Sequence, residues 1–175
     1  YLNDGEKMIT GKISEEKYLK HFSIKFYTAL QNINKLYHGK GPKGARTAFI
    51  YSNLVKVGIE MFQEILLANG YLEYNEKYSL YKISPGTLCY FCGESYELHP
   101  NNNTPTHEFR QATFVSVTGK AKDEIADNIP EEKQKILKYI FSNQENVDGR
   151  NIKFILGSKV MNEGLSLKNV AEIHI

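Results

Sequence analysis

The sequence has no tryptophan, only two cysteines and five prolines in 175 residues, and no real excess of either charge. Each scarcity excludes something. Two cysteines cannot build the multi-bridge framework of a small secreted domain. Their C-x2-C spacing, Cys89 and Cys92, suits a reducing compartment instead. No stretch of about 18 apolar residues occurs, so no segment reads as a membrane span, and no secretory signal is visible. These absences point to an intracellular protein. With 22 basic against 20 acidic residues, a net charge of +2, bulk charge gives no argument for nucleic acid; such a contact has to come from local patches.

Motifs are missing too. A phosphate loop needs G-x-x-x-x-G-K-[ST] between a strand and a helix. The nearest stretch, residues 39–46, has Ala45 and Arg46 after Gly44 and precedes a strand, so it reads as a basic connector. G-x-G-x-x-G is absent, which counts against a dinucleotide enzyme. No Ser/His/acid or Cys/His catalytic set is legible. The pairs Asp123/Glu124 and Glu131/Glu132 are sequence neighbours, do not share a helix face and read as solvated.

What is present is 41% hydrophobic content, enough for one domain with a real core. Residues 1–13 read as a linker or a domain edge. Ser14 is placed to cap a helix whose apolar stripe runs from Tyr18 to Leu36, with Gly39 as its stop. Residues 47–51 and 112–117 are apolar runs typical of buried strands. So is the run from Ile152 to Leu156. A helix over 54–69, closed by Gly70, follows the first. A helix opened by Pro130, Glu131 and Glu132 follows the second. Residues 171–175 restart a strand. Strand alternating with helix argues a parallel α/β sheet over 14–175.

Such sheets bind ligands outside the carboxyl ends of their strands. Those ends carry Ser52 and Asn53, then Thr118 and Gly119, then Ser158 and Lys159. Small hydroxyl, amide and basic groups at helix N-termini can hold a phosphate backbone. Ser52 or Asn53 can equally serve as a helix cap, and the two roles are compatible.

Residues 71–112 interrupt the rhythm. Tyr71, Tyr74, Tyr78 and Tyr81 lie in short alternating segments that could pair as strands. Cys89, Cys92, His99 and His107 then follow in the order C-x2-C-x6-H-x7-H. Two thiolates and two imidazoles suit a tetrahedral structural Zn2+ site, with no position left for a catalytic water. The spacing of seven between histidines exceeds the usual three to five, which makes His107 the weakest member. The alternative is two reduced cysteines and two surface histidines in a polar loop. With few apolar residues of its own, the insertion is expected to draw much of its folding energy from the metal. The sheet is expected to keep a separate core.

The segment from Phe154 to Ile175, FILGSKVMNEGLSLKNVAEIHI, resembles motif V of the second RecA-like domain of superfamily 2 helicases and related translocases. Gly164, Leu165, Ser166 and Leu167 fit its turn, although Ser166 stands where Asp or Asn is frequent. AFIYSNLVKVGIEMFQEIL resembles motif IV and its helix. The wording is most similar to helicase-type proteins of large DNA viruses, including the poxvirus early transcription factor small-subunit type. The resemblance implies a RecA-like parallel sheet with a small Cys/His-containing insertion. It also implies a nucleic-acid grip, DNA favoured, and an ATP interface at Glu163, Gly164 and Ser166. ATP and Mg2+ would be used only with a first RecA-like domain of the same protein. That domain carries the phosphate loop and DExx strand, and motif VI would lie beyond residue 175. The 175 residues alone are therefore not expected to hydrolyse ATP, whereas the full-length protein is. RNA polymerase or transcription-factor subunits are the expected protein partners. If the source is viral, the expected location is the virion and host cytoplasm. The reading from another class is a non-catalytic module that docks a transcription protein through the insertion.

Overall fold

Phe154, Ile155, Leu156 and Gly157 are all buried, because this strand lies third in a five-stranded sheet and is covered on both faces. The computed structural model describes residues 11–99, 107–118, 129–159, 167 and 170–175. Its strands are β1 (Ala48–Tyr51), β2 (Leu72–Glu73), β3 (Thr113–Val117), β4 (Phe154–Gly157) and β5 (Ala171–His174). They lie in the order β2-β3-β4-β1-β5, and every neighbouring pair is parallel.

Strand alternation divides the core in two. Ala48, Ile50, Phe114, Phe154 and Leu156 face one layer, which is filled by Leu19, Leu30, Ile33, Phe62 and Ile65. These come from α1 (Glu16–Phe22), α2 (Ile24–Leu36) and α3 (Met61–Ala68). Val115, Val117 and Ile155 face the other layer, against Ile136, Leu137 and Phe141. Those three follow α4 (Glu131–Lys135) in a π-helical turn, Ile136–Phe141. Leu167 packs against the same layer. The parallel α/β sheet with helices on both faces agrees with the sequence.

Local details differ from the sequence reading. The helix expected from Ser14 is two helices, broken at Ser23, where the backbone is extended (φ −153°, ψ 108°) and the side chain accepts from Phe26 N. Ser14 is not the cap. It is buried in a 3-10 turn, and the first turn of α1 is capped from outside, Glu16 N donating to Asn69 Oδ1 at 2.8 Å. Asn69 also donates to Ser14 O and Ile65 O, so one amide ties the start of α1 to the end of α3. α2 stops at Leu36, with Tyr37 rather than Gly39 at its end. Gly70, at φ +91°, does follow α3. A Cβ there would lie 2.2 Å from Gly86 O, so the site excludes any side chain. The helix after β1 opens with a π-helical turn, Val55–Glu60.

The tyrosine-rich segment does not pair with itself. Only Leu72–Glu73 forms a strand, at the sheet edge beside β3, and Tyr78 sits in a 3-10 turn. Nor does the insertion have a core apart from the sheet. Cys89 and Tyr90 belong to the same apolar cluster as Phe114 and Phe154. The cause is direct pairing: Leu88 N donates to Gly70 O, and Ala112 N to Leu88 O.

Candidate nucleic-acid edge and metal centre

Tyr51, Val117 and Gly157 are in register across three parallel strands. Their successors therefore come together at one edge. Ser52 N donates to Gly157 O at 3.2 Å and Ser158 N to Val117 O at 3.4 Å. The structure thus brings Ser52, Asn53, Thr118, Ser158 and Lys159 side by side, as the strand-end argument requires. Gly119, Glu163, Gly164 and Ser166 lie outside the described residues.

The five differ in what they offer. Ser52 and Ser158 are each only 3% exposed. Ser52 Oγ accepts from Leu54 N at 3.2 Å, so this hydroxyl shapes the turn into the helix. Gly58 lies directly over it: an added Cβ would sit 2.2 Å from Ser52 Oγ. Asn53 and Lys159 are exposed and Thr118 is half-buried; Asn53 Oδ1 accepts from the Tyr51 hydroxyl. The edge therefore presents an amide and an ammonium above two buried hydroxyls.

The second cluster is the Cys/His set. The candidate ligand atoms of Cys89, Cys92, His99 and His107 all lie within 4.8 Å of one another. His107 Nε2 is 3.3 Å from Cys89 Sγ and 3.1 Å from His99 Nε2. Tetrahedral zinc with bonds of about 2.0–2.3 Å separates its ligands by roughly 3.3–3.8 Å, so the donors stand close to the spacing the ion needs. Cys89 is fully buried and His99 is 7% exposed. Burial, then Cys89 alongside, pushes the Cys92 thiol up to about 11. Without a cation it stays protonated and inert. Burial and His99 lower the His107 pKa, favouring the neutral imidazole that coordinates metals.

The Cys89–Cys92 turn is closed by Gly93 N donating to Cys89 O at 3.0 Å. Gly93 has φ +74°, and a Cβ there would meet the His38 ring at 2.8 Å. His38 is the residue that sequence reasoning missed. It is 1% exposed, with Nδ1 3.2 Å from Tyr90 O and Nε2 2.9 Å from the Tyr71 hydroxyl. Burial, and then Lys153, lower its pKa to about 3, so it is neutral. A neutral imidazole donates once. The Tyr71 hydroxyl in turn donates to Asn34 Oδ1 at 2.7 Å. Gly39 N donates to Phe91 O, and Lys40 pairs with Glu94. The turn is thus fastened to the end of α2.

Over its full length the chain is 51% identical to a protein of Acanthamoeba polyphaga mimivirus named "Putative ATP-dependent RNA helicase", of which it spans 15%. It is 29% identical, over 97% of its length, to the "Early transcription factor 70 kDa subunit" of Monkeypox virus and of Vaccinia virus (strain Copenhagen), spanning 19% of each. The chain is homologous to viral helicase-like proteins. No protein-family model and no solved structure matches it. This helicase-like domain therefore corresponds to less than a fifth of each of these relatives. The alignments run through the insertion as well as the sheet, so the Cys/His segment lies within the shared region. No helix among the described residues is long and apolar enough to cross a membrane.

Proposed function

We propose that this domain is the second RecA-like half of an ATP-dependent nucleic-acid helicase or translocase, intracellular and acting in viral transcription. It grips a nucleic-acid backbone, DNA favoured, through Gly119 and the edge formed by Asn53, Thr118 and Lys159, with Ser52 and Ser158 beneath. Glu163, Gly164 and Ser166 face ATP and Mg2+ held mainly by another domain of the same protein. Closure of the two domains around ATP would shift their grips along the strand. The observation that carries this reading is the row of small polar residues at the ends of β1, β3 and β4, in a chain akin throughout to a helicase-named protein. Cys89, Cys92, His99 and His107 hold one structural zinc ion, with no open position for catalysis.

The test is binding of a labelled oligonucleotide at several salt concentrations. A backbone grip gives a log–log salt dependence, with weaker binding for Lys159→Ala and Asn53→Ala. Affinity that ignores salt and both variants would refute the grip. A second reading, docking of a transcription protein, is favoured by exposed Leu80, Ile83 and Leu98 on the insertion. It predicts that Leu80→Ser and Leu98→Ser lose a transcription partner while nucleic-acid binding and ATP turnover in the full-length protein are retained.

A further inference from the structure

Arg110 and Arg150 precede β3 and β4, at the end of the sheet opposite the edge above. Strands of this length separate the two ends by roughly 15 Å. The arginines border a cavity of about 840 Å³ whose walls include Tyr78, Tyr90 and Phe109. Arg110 is held firmly. Its guanidinium lies 4.5 Å from the Tyr78 ring centre, and Nη2 donates to Asn151 Oδ1 at 2.7 Å. Its Nε is buried with no hydrogen-bond partner. Arg150 is exposed, and Tyr90, which shares the cavity wall with it, raises its pKa.

Among the described residues, neither guanidinium forms an ion pair with a carboxylate within 4.0 Å. Glu108 borders the same cavity, and the Asp148 carboxylate accepts from the backbone of Arg150. Burial first, and then Arg150, lower the Arg110 pKa. The Asp148 carboxylate favours the charged form of both arginines, and two guanidinium groups beside one open cavity suit an added anion. Guanidinium forks match phosphate oxygens. Beside them, Tyr78 is 51% exposed, and Phe109 is held edge-on by Tyr96 at 4.8 Å. Such rings stack on unpaired bases, which a duplex keeps inside its own stack. An acidic peptide would satisfy the arginines but leave the rings unused.

We propose that this cavity is a second nucleic-acid contact, taking one phosphate and its unstacked base from a single strand. It builds on the reading that the domain grips nucleic acid and adds a point of contact at the opposite end of the sheet.

The test is anisotropy of a labelled oligothymidylate with the wild-type chain, Arg150→Ala, Tyr78→Ala and Lys159→Ala across a salt series. Arg150 is exposed and Tyr78 half-exposed, so both variants should fold, and circular dichroism checks this. Arg150→Ala should reduce the salt slope by about 1. Tyr78→Ala should weaken binding roughly tenfold with the slope unchanged, while duplex of the same length ignores it. If only Lys159→Ala weakens binding, the cavity is excluded and the grip stands. If the wild-type chain binds no oligonucleotide at low salt, both fail. Displacement by polyglutamate as effective as by unlabelled oligonucleotide would assign the cavity to an acidic peptide and overturn the proposal.

Discussion

Asn146 is 1% exposed and saturates four hydrogen bonds. Its Nδ2 donates to Phe141 O at 3.1 Å and Ile152 O at 2.9 Å. Its Oδ1 accepts from Asn151 N at 2.8 Å and Ile152 N at 2.9 Å. It joins the end of the π-helical turn to the entry of β4, the strand that carries Ser158 and Lys159. Asn146→Ala orphans four backbone groups. A buried group left unpaired costs roughly 1–3 kcal/mol. Asn151 is only half-buried and carbonyls have a second lone pair, so about half the total for four groups applies, roughly 2–6 kcal/mol. This is a large part of the 5–15 kcal/mol typical of a domain. Asn146→Asp keeps the acceptor but sets a carboxylate against two carbonyls, and should be worse. Urea unfolding reads both as a lower midpoint at unchanged slope. A loss below about 1 kcal/mol for Asn146→Ala would refute the reasoning, because water or a relaxed turn would then have replaced the bonds.

Gly58→Ala should cost about 1–3 kcal/mol, since its Cβ meets the buried Ser52 side chain; recovery of the melting temperature in Gly58→Ala with Ser52→Gly checks the cause. Protein purified without chelator should contain about one zinc per chain, lost with Cys89→Ser, and freely titratable thiols with no metal under reducing conditions would remove the site. Chelation should speed amide exchange over residues 87–99 and 107–112, and at Gly39, which donates to Phe91 O, while β1, β3 and β4 stay slow. Lys153 is fully buried, and burial brings its pKa down to about 7 from 10.5. The unfolded chain then binds more protons between pH 7 and 10.5, so stability should rise with pH across that window. Lys153→Met should flatten the rise in thermal melts, and an unchanged slope would count against the burial.

Much of the sheet was legible because a strand covered on both faces must be apolar throughout, and such runs are short and conspicuous. Lys153 sits inside one unnoticed because its stem is apolar. Its ammonium reaches Arg46 O at 3.2 Å and Asp148 O at 3.3 Å, an arrangement fixed by chain segments far apart in sequence. The trans cap of α1 by Asn69 was illegible for the same reason. Residues 143–150 are mostly polar, and nothing local marks Asn146 rather than its neighbours as the buried one. The C-x2-C pair pointed to the Cys/His cluster, whose candidate ligand atoms the fold brings within 4.8 Å of one another. What composition concealed was the setting. Cys89 and Tyr90 read as parts of a polar insertion, but they occupy the main core.

That setting bears on the proposal that a metal sits there. Two thiols and two imidazoles converge beside the apolar cluster that also holds Phe114 and Phe154, and two of them, Cys89 and His99, have little access to water. Each neutral imidazole has one donor and one acceptor, and a thiol is weak at both. His107 Nδ1 is already buried without a partner, and burial holds Cys92 in its thiol form. Left to themselves, the four groups form an under-satisfied polar hole, which is costly at low dielectric. A tetrahedral cation would take one lone pair from each and turn the hole into a rigid joint. Through Tyr90 O on His38 and Phe91 O on Gly39, that joint reaches the end of α2. The same joint borders the arginine cavity, because Tyr90 and His107 line its wall. With a cation bound, the Cys/His insertion would brace the sheet, and the same few residues would set its chemistry and the cavity's geometry.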